Sequence, residues 1–128
     1  MISKKTWLSV SDNTNVIWLQ TFHLYKGFHR RWTGLSFFIK GSARFVEPPR
    51  IEYKGFKFKF NKKGDICRGL IVRTAYQNFR YDGSVLRFFS NATITIKKKQ
   101  NAKSKYLLGP SSALLKRRKF KSLYTVII

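Results

Sequence analysis

The stretch "RYDGSVLRFFSNATITIK", residues 80–97, contains the two patterns that decide the fold. Asp82-Gly83 lies between two apolar strands, and such a dipeptide is a strong short-range signal for a β-hairpin, because both central residues of the favoured turn need positive φ. The segment "ATITIK", residues 92–97, then alternates apolar and polar side chains with period two. That period is typical of a β-strand and not of a helix.

The same alternation recurs along most of the chain before residue 98. It is present in "VIWLQTFHLY", residues 16–25, and in "FKFKF", residues 56–60. The two faces of the second run carry Phe56, Phe58 and Phe60 on one side and Lys57 and Lys59 on the other. Clusters of turn-forming residues separate the runs, as in "SDNTN" at 11–15 and "NKKGD" at 61–65. Short strands at this close spacing indicate a small closed β-barrel.

The pattern changes after residue 97. "KKKQNAKSKY", residues 97–106, is a polar and basic loop. "GPSSALLKRRKF", residues 109–120, predicts a short helix with Gly-Pro before it and a serine able to cap it. The final "LYTVII", residues 123–128, predicts one more strand. The cations expected in the last helical turn, where they complement the helix dipole, are Lys116, Arg117, Arg118 and Lys119.

Length and composition indicate one folded, strongly basic domain. The 128 residues include 27 Lys and Arg against 5 Asp and Glu, a formal net charge of +22, so most cations lack an internal partner. Such a charge attracts polyanions, either nucleic acid or an anionic membrane. The hydrophobic content of 43% is far above that of a disordered basic tail. We expect a single domain over 1–128, with a barrel in 1–97 and an extension in 98–128.

Neither a membrane span nor a targeting segment is evident. No apolar run reaches the roughly 18 residues that a spanning helix needs. The start "MISKKTWLSV" lacks the features of a secretory signal and of an organelle import sequence, so we expect that the protein is not imported. Cys67 is the single cysteine and forms no internal disulfide; we expect it to be a small buried hydrophobic residue.

The titratable residues do not point to catalysis. Asp12, Asp65 and Asp82 each lie in a turn signal, where a carboxylate hydrogen-bonds the local backbone. His23 and His29 have too few Cys and acidic companions for any metal-ligand spacing. Neither a phosphate-binding glycine loop nor a nucleophile elbow occurs. We therefore expect no enzyme activity, no cofactor, no metal and no small-molecule substrate.

The basic and aromatic residues favour nucleic acid. Lysine and arginine contact phosphates, and planar side chains stack on unpaired bases. "GFHRRWTG", residues 27–34, places two guanidiniums beside an indole with no acid nearby. We expect Arg30 and Arg31 to hold phosphates, with Trp32 bracing the loop or stacking.

Five segments together resemble a known family. "TWLSVSDN", "HRRWTG", "KKGDICRGLIVRT", "YDGSVLRFFSNATI" and "LLGPSSALLKRRKF" follow the order and approximate spacing of the universal large-subunit ribosomal protein 14 family. The most specific part is Gly69 with three aliphatic residues up to Val72, then Asp82-Gly83, then Phe88 and Asn91. The likeness runs from Met1 nearly to the C-terminus.

This resemblance implies both a fold and a role. The fold is a five-stranded closed barrel with a C-terminal extension of loop and short helices. The role is structural: binding large-subunit rRNA, touching neighbouring ribosomal proteins and forming a bridge to small-subunit rRNA. A free-standing single-stranded nucleic-acid-binding protein on a small barrel is the alternative.

Two departures from the family pattern stand out. Asn15 occupies a position where the family usually has glycine, and Asn also tolerates the left-handed backbone region. The segment "SARFVEPPRIEYKGFKFKF", residues 42–60, is longer than its family counterpart and predicts an extended loop or ribbon.

Two sets of contact residues follow from these interpretations. The apolar residues of 105–128 lie in an appendage too short for its own core, so part must pack on the barrel and the rest needs a partner. The residues expected to bind rRNA are His29, Arg30, Arg31, Trp32, Lys57, Lys59, Lys62, Lys63, Arg73, Arg80, Arg87, Lys97, Lys98 and Lys99. Those expected at a protein or intersubunit contact are Tyr106, Leu107, Leu114, Leu115, Lys116, Arg117, Arg118 and Lys119.

Residue usage bears on the compartment. Phe, Tyr, Met, Ile, Asn and Lys, which A/T-rich codons encode, together outnumber Gly, Ala, Arg and Pro. This indicates translation from an A/T-rich organelle genome, and we expect a mitochondrial ribosome. A plastid and an A/T-rich bacterium are the alternatives.

Overall fold

Residues 1–27, 29–48, 61–104 and 107–128 are described by the structure, a computed structural model of the chain. Within these ranges the chain forms seven strands and one short helix. They are β1 (Trp7–Val10), β2 (Val16–His23), β3 (Phe38–Val46), β4 (Ile66–Arg73), β5 (Asn78–Phe79), β6 (Val85–Leu86), β7 (Ala92–Ile96) and α1 (Arg118–Lys121). The run predicted at 56–60, with Phe56, Phe58, Phe60, Lys57 and Lys59, lies outside the described residues.

Five strands close into a barrel in the order β1-β2-β3-β4-β7. Neighbouring strands are antiparallel except β1 and β7, which are parallel and pair Ser9 with Ala92 and Val10 with Thr93. Strands β5 and β6 form a separate two-stranded sheet in the connection between β4 and β7. The expected five-stranded closed barrel is confirmed. Closure pairs both edges of the sheet, which removes the sites at which another strand would add.

The barrel interior is filled by alternate residues of the strands. In β4, Cys67 and Ile71 belong to the inner cluster, whereas Leu70 and Val72 do not. Cys67 is buried as predicted. The inner cluster consists of Ile2, Leu8, Val16, Leu19, Leu24, Ile39, Ala43, Cys67 and Ile71.

Strands β4 and β7 are also covered on their outer faces. The C-terminal extension packs Leu115, Phe120 and Tyr124 against them in a second buried cluster. The strand residues of this cluster are Leu70, Val72, Ala92, Ile94 and Ile96. Burial on both faces explains why β4 reads as a continuous apolar run instead of alternating. The expectation that part of the apolar strip of 105–128 packs on the barrel is confirmed.

Two strand glycines lie where the barrel has no room for a side chain. A Cβ on Gly41 would be 2.7 Å from Leu19 Cγ and 2.8 Å from the Gln20 carbonyl oxygen. A Cβ on Gly69 would be 2.6 Å from Thr93 Oγ1. Neighbouring strands therefore approach closely because these two positions are glycine.

The three turn aspartates hydrogen-bond the backbone, as predicted. Asp65 accepts from the Lys62 N–H at 2.8 Å and Asp82 from the Ser84 N–H at 2.9 Å. Asp12 is buried and accepts hydrogen bonds from two separate segments of the chain. Its carboxylate accepts from the N–H and hydroxyl of Thr14 at 3.2 and 2.5 Å, and from those of Thr95 at 2.8 and 2.6 Å. One side chain thus ties the β1–β2 turn to β7.

Asn15 does not adopt the left-handed backbone that would replace a glycine, because its φ is not positive. It acts through its side chain instead. Nδ2 donates to the Asn61 and Glu47 carbonyl oxygens at 2.7 and 3.3 Å, and Oδ1 accepts from the Asn61 N–H at 3.2 Å. Asn15 therefore joins the β1–β2 turn to both ends of the connection between β3 and β4.

The hairpin predicted at Asp82-Gly83 is confirmed, but its turn differs from the expected type. Gly83 has φ 87°, whereas Asp82 does not have positive φ. The Gly83 N–H donates to the Arg80 carbonyl at 3.1 Å, and the Arg80 N–H donates to the Ser84 carbonyl at 2.9 Å. This is a three-residue loop with a glycine bulge, which needs only one left-handed residue.

The helix predicted over 109–120 is wrong in extent, since α1 covers only Arg118–Lys121. Ser112 closes a local turn by accepting from the Leu114 N–H at 3.1 Å, and the residue before α1, Arg117, makes no capping bond with its side chain. The four cations consequently do not share a last helical turn. The final strand is likewise wrong: it is reduced to a single bridge between Ser111 and Ile127. Docking on the barrel has overridden the local helical pattern.

Gly41→Ala is expected to lower the free energy of unfolding by about 1–3 kcal/mol, because the added methyl meets a backbone carbonyl that cannot rotate away. Gly34→Ala is the matched control, since no atom lies within 4 Å of its Cβ position. Urea unfolding of both variants measures the difference. Equal stability of the two variants would contradict the close strand approach at Gly41.

Alkaline unfolding tests the docking of the extension through Tyr124. Burial raises the pKa of the Tyr124 phenol, so the folded chain holds this proton more tightly than the unfolded chain. This stabilising contribution is complete below the ordinary pKa of about 10 and is lost as the pH rises through the folded value. In urea unfolding from about pH 9 to 11, Tyr124→Phe should lose less stability than the native protein does. Tyr81 is exposed, so Tyr81→Phe serves as the control. If the free energy of unfolding falls equally with pH in all three proteins, burial does not raise the pKa of Tyr124.

Candidate nucleic-acid interface

The connection between β2 and β3 begins with an unusual backbone. Tyr25, Lys26 and Gly27 follow one another with φ values of 59°, 54° and 88°. Consecutive left-handed residues other than glycine are strained, and they persist where the surrounding structure holds them, often at functional sites. The Tyr25 N–H donates to His23 Nδ1 at 3.2 Å, which helps to hold this turn.

Three cations surround one aromatic ring at the other end of this connection. Lys26 Nζ, Arg30 Cζ and Lys116 Nζ lie 5.2, 4.5 and 4.9 Å from the centroid of Phe37. The negative face of an aromatic ring attracts each of them. They also repel one another, and with 27 basic against 5 acidic residues the chain has few carboxylates to offset this. Phe37 therefore concentrates positive charge at one place on the surface.

A cleft of about 270 Å³ opens beside this ring. Phe37 and Phe38 contribute apolar walls, and Arg68 and Lys97 add cations from β4 and from the residue after β7. Arg117 lies over the Phe38 ring at 4.7 Å and donates to Gln100, another lining residue. We call this region the basic cleft; its members are Lys26, Arg30, Phe37, Phe38, Arg68, Lys97, Gln100, Lys116 and Arg117.

The extension reaches the basic cleft through a backbone contact. The Lys116 N–H donates to Ser36 Oγ at 2.9 Å, across 80 residues of sequence. Lys116 and Arg117, which the sequence assigned to a protein or intersubunit contact, therefore lie beside Arg30, which it assigned to rRNA. Lys119 points elsewhere, with Nζ 3.4 Å from Asn101 Oδ1, and Arg118 is exposed.

Arg30 and Arg31 have different surroundings. Arg30 donates from Nε to the Trp32 carbonyl at 2.9 Å and from Nη2 to Thr33 Oγ1 at 3.3 Å, so it braces its own loop while facing Phe37. Arg31 is exposed and has no hydrogen bond or ion pair with any residue of the described ranges. Trp32 is exposed as well. The loop thus offers a free guanidinium and an indole to a partner.

The other predicted rRNA-binding residues are dispersed. Arg73 donates to the Leu108 and Pro110 carbonyl oxygens at 2.8 and 3.2 Å, and so fastens the extension to β4. Arg80 is half-buried beside the β5–β6 hairpin. Exposed positions are held by His29, Lys62, Lys63, Arg87, Lys97, Lys98 and Lys99, while Lys57 and Lys59 lie outside the described residues.

The predicted protein-contact residues divide in a similar way. Leu115 is buried in the second cluster, and Leu107 and Leu114 are half-buried. Tyr106 lies outside the described residues. Among the described residues of the extension, the large apolar side chains that are exposed are Leu108, Val126, Ile127 and Ile128.

Sequence reasoning missed five members of the basic cleft: Lys26, Phe37, Phe38, Arg68 and Gln100. For two of them the sequence did contain a feature that could have indicated their place. Lys26 is two positions from the "FHRRW" segment, and Arg68 alternates with inward Cys67, which places it on the outer face. Gln100 had none, because only the fold brings it to the cleft.

Three further observations on the described residues concern metal binding, membrane crossing and the single thiol. Among these residues no group of three or more His, Cys, Asp or Glu could hold a metal ion. No helix within the described ranges is long and apolar enough to cross a membrane. Burial raises the pKa of the Cys67 thiol, so it stays protonated at neutral pH and is a poor nucleophile.

The fold and the cleft define a small, closed β-barrel protein with a concentrated basic surface. Its sequence matches the family model described as ribosomal protein L14p/L23e over residues 1–126. The chain belongs to this family, which confirms the resemblance read from the five segments. It is a protein of the large ribosomal subunit, and the family is one of structural ribosomal proteins and not of enzymes.

Phe37→Leu tests whether the ring positions the cations. Leucine keeps an apolar contact but lacks the ring quadrupole, so the free energy of unfolding should fall by about 1 kcal/mol at low salt. The side-chain protons of Lys26, Arg30 and Lys116 should lose their ring-current shifts in NMR spectra. Exposed Phe89 supplies the control Phe89→Leu, which should move none of these resonances. Unchanged shifts in Phe37→Leu would show that the three cations are not held by the ring.

Proposed function

We propose that the chain is a structural constituent of the large subunit that binds large-subunit rRNA through the basic cleft and the loop of Arg31 and Trp32. It also contributes contacts to neighbouring ribosomal proteins and a bridge to small-subunit rRNA. The observation that carries the rRNA proposal is the gathering of three cations around Phe37, two from the β2–β3 connection and one from the distant extension. Such a cluster costs free energy through mutual repulsion unless a polyanion offsets it.

The basic cleft suits an RNA strand in two respects. Its cations neutralise phosphates and release counterions, which is the main source of affinity for nucleic acid. Lys26, Arg30 and Lys116 are held near Phe37 before binding, so less side-chain entropy is lost when a phosphate arrives. Phe38 and the exposed Trp32 offer apolar faces to a sugar or to an unpaired base.

The extension supports the proposal of a second contact surface on the same domain. We treat 1–128 as one domain because Leu115, Phe120 and Tyr124 complete the cover of β4 and β7. Beyond that cover, Leu108 and residues 126–128 remain exposed, and Arg118 is exposed as well. Exposed apolar side chains together with a cation fit a contact with a neighbouring protein or with the small subunit.

The proposed compartment is the mitochondrial ribosome, with an organelle-encoded gene. The support is residue usage: residues with A/T-rich codons outnumber Gly, Ala, Arg and Pro. A plastid ribosome and the ribosome of an A/T-rich bacterium are the alternatives within the same reasoning.

Free-standing binding of single-stranded nucleic acid, beside the role in the large subunit, is the second candidate function. The observation in its favour is a set of exposed aromatic rings around the β5–β6 hairpin, because such rings serve as stacking platforms. They are Tyr76, Phe79, Tyr81 and Phe89.

Co-sedimentation with large subunits over a series of salt concentrations separates the two functions. A ribosomal constituent stays with the large subunit at moderate salt, whereas a free binder redistributes. Lys26→Gln/Lys116→Gln should dissociate at distinctly lower salt than the native protein, because two phosphate contacts are lost. Lys4→Gln/Lys5→Gln removes the same charge outside the cleft and should behave like the native protein.

Three outcomes would overturn parts of the proposal. Release of the native protein at low salt would favour the free binder. If the two double variants dissociate from the large subunit at the same salt concentration, the basic cleft is not part of the rRNA interface. Recovery of the protein with cytosolic and not organellar large subunits would contradict the compartment.

A further inference from the structure

We infer that the outer face of β1, β2 and β3 docks a neighbouring ribosomal protein through Trp7, Trp18 and Phe45. This inference rests on the proposed ribosomal role but uses a surface separate from the basic cleft and from the extension. We call it the aromatic face.

The three rings form one contiguous cluster on the barrel surface. Trp7 and Trp18 have ring centroids 6.5 Å apart, and Trp7 and Phe45 have centroids 5.9 Å apart. Strand pairing sets this arrangement, because Trp18 pairs directly with Phe45 across β2 and β3. Ile17 continues the apolar surface next to Trp18.

The rings are in mutual contact yet remain substantially exposed to solvent. Their exposed fractions are 43% for Trp7, 40% for Trp18 and 55% for Phe45. By contrast, the outer faces of β4 and β7 are covered by the extension. Clustered exposed aromatic side chains are typical of a protein–protein contact, where Trp in particular contributes a large share of the binding energy.

Charge distinguishes this face from the rest of the molecule. Residues 6–25, which contain β1 and β2, include no Lys and no Arg, although the chain has 27 of them in 128 residues. On β3, Arg44 borders the face and its Nε donates to Gln20 Oε1 at 2.8 Å. Lys40, the other cation of β3, lies over the ring of Tyr25, 5.5 Å from its centroid. Strands β1 and β2 themselves contribute no cation to the aromatic face.

The absence of cations from β1 and β2 selects the class of partner. RNA bound over these two strands would find no neutralising contact for its phosphates there, and the rings meet at interplanar angles of 66° and 41° instead of forming a parallel stack of platforms. A second copy would bring two charges of +22 together. A partner protein that presents apolar side chains can pack on the aromatic rings. An acidic or carbonyl group of that partner can accept a hydrogen bond from Arg44.

Site-specific photo-crosslinking in assembled large subunits tests this inference. The full-length chain carries p-benzoylphenylalanine at Trp18, or at Arg31 in a parallel sample, and each version is assembled into subunits that lack the native chain. We expect the probe at Trp18 to give an adduct with a ribosomal protein, and the probe at Arg31 to give an adduct with rRNA.

The probes at Trp18 and Arg31 test two separate proposals, so one can fail while the other holds. An rRNA adduct, an adduct with a second copy, or no adduct at Trp18 would overturn the aromatic face as a protein-docking site. Absence of an rRNA adduct at Arg31 would count against the proposed rRNA contact instead. Strong shielding of Trp7 and Trp18 from acrylamide in the isolated protein would show that the chain covers this face itself, and would also overturn the inference.

A double variant measures how much the face contributes. Trp18→Thr/Phe45→Thr keeps strand-compatible residues and should reduce retention of the protein in large subunits by about tenfold or more, as loss of central interface aromatics does. Its RNA affinity and salt dependence as an isolated protein should be unchanged, which separates docking from misfolding. Val85 is exposed on β6, off this face, so Val85→Thr should be retained like the native protein. Equal retention of all three proteins would refute docking through these rings.

Discussion

The small diameter of the barrel is the constraint on which the rest of the structure depends. Five strands enclose an interior that has no space for a side chain at Gly41 or Gly69. Close approach at these positions lets Leu19, Ile39 and neighbouring residues pack together in the interior. A barrel of this size buries little, so additional cover on the outer faces of β4 and β7 adds a second cluster to the core.

That second cluster also builds the candidate site. Asp12 ties the β1–β2 turn to β7, and Arg73 holds the carbonyl oxygens of Leu108 and Pro110. Arg73 therefore fastens the extension at Leu108 and Pro110, and Leu115 and Phe120, further along the chain, lie in the apolar cover. Lys116 follows Leu115 directly, so packing of the extension places its ammonium group beside Phe37. Folding and charge placement are consequently coupled.

Segregation of charge gives the protein two kinds of surface. The basic cleft gathers Lys26, Arg30 and Lys116, whereas the face of Trp7 and Trp18 comes from a segment without Lys or Arg. A constituent of a ribonucleoprotein needs both kinds, since phosphates require cations and protein neighbours require apolar contact. One small barrel can present them on different strands because its outer face is divided among five strands.

The sequence by itself determined strands β2 and β7, the closed barrel and the family. Period-two alternation and turn residues are local, so "ATITIK" and the turn aspartates could be read directly. The helix at 109–120 was misread because a local helical pattern cannot show that Leu115 and Phe120 must reach the sheet. The basic cleft was found only in part, since Lys26, Arg68 and Lys116 are far apart in the chain. Only the tertiary structure brought them together, because strand order and docking of the extension decide which outward side chains become neighbours.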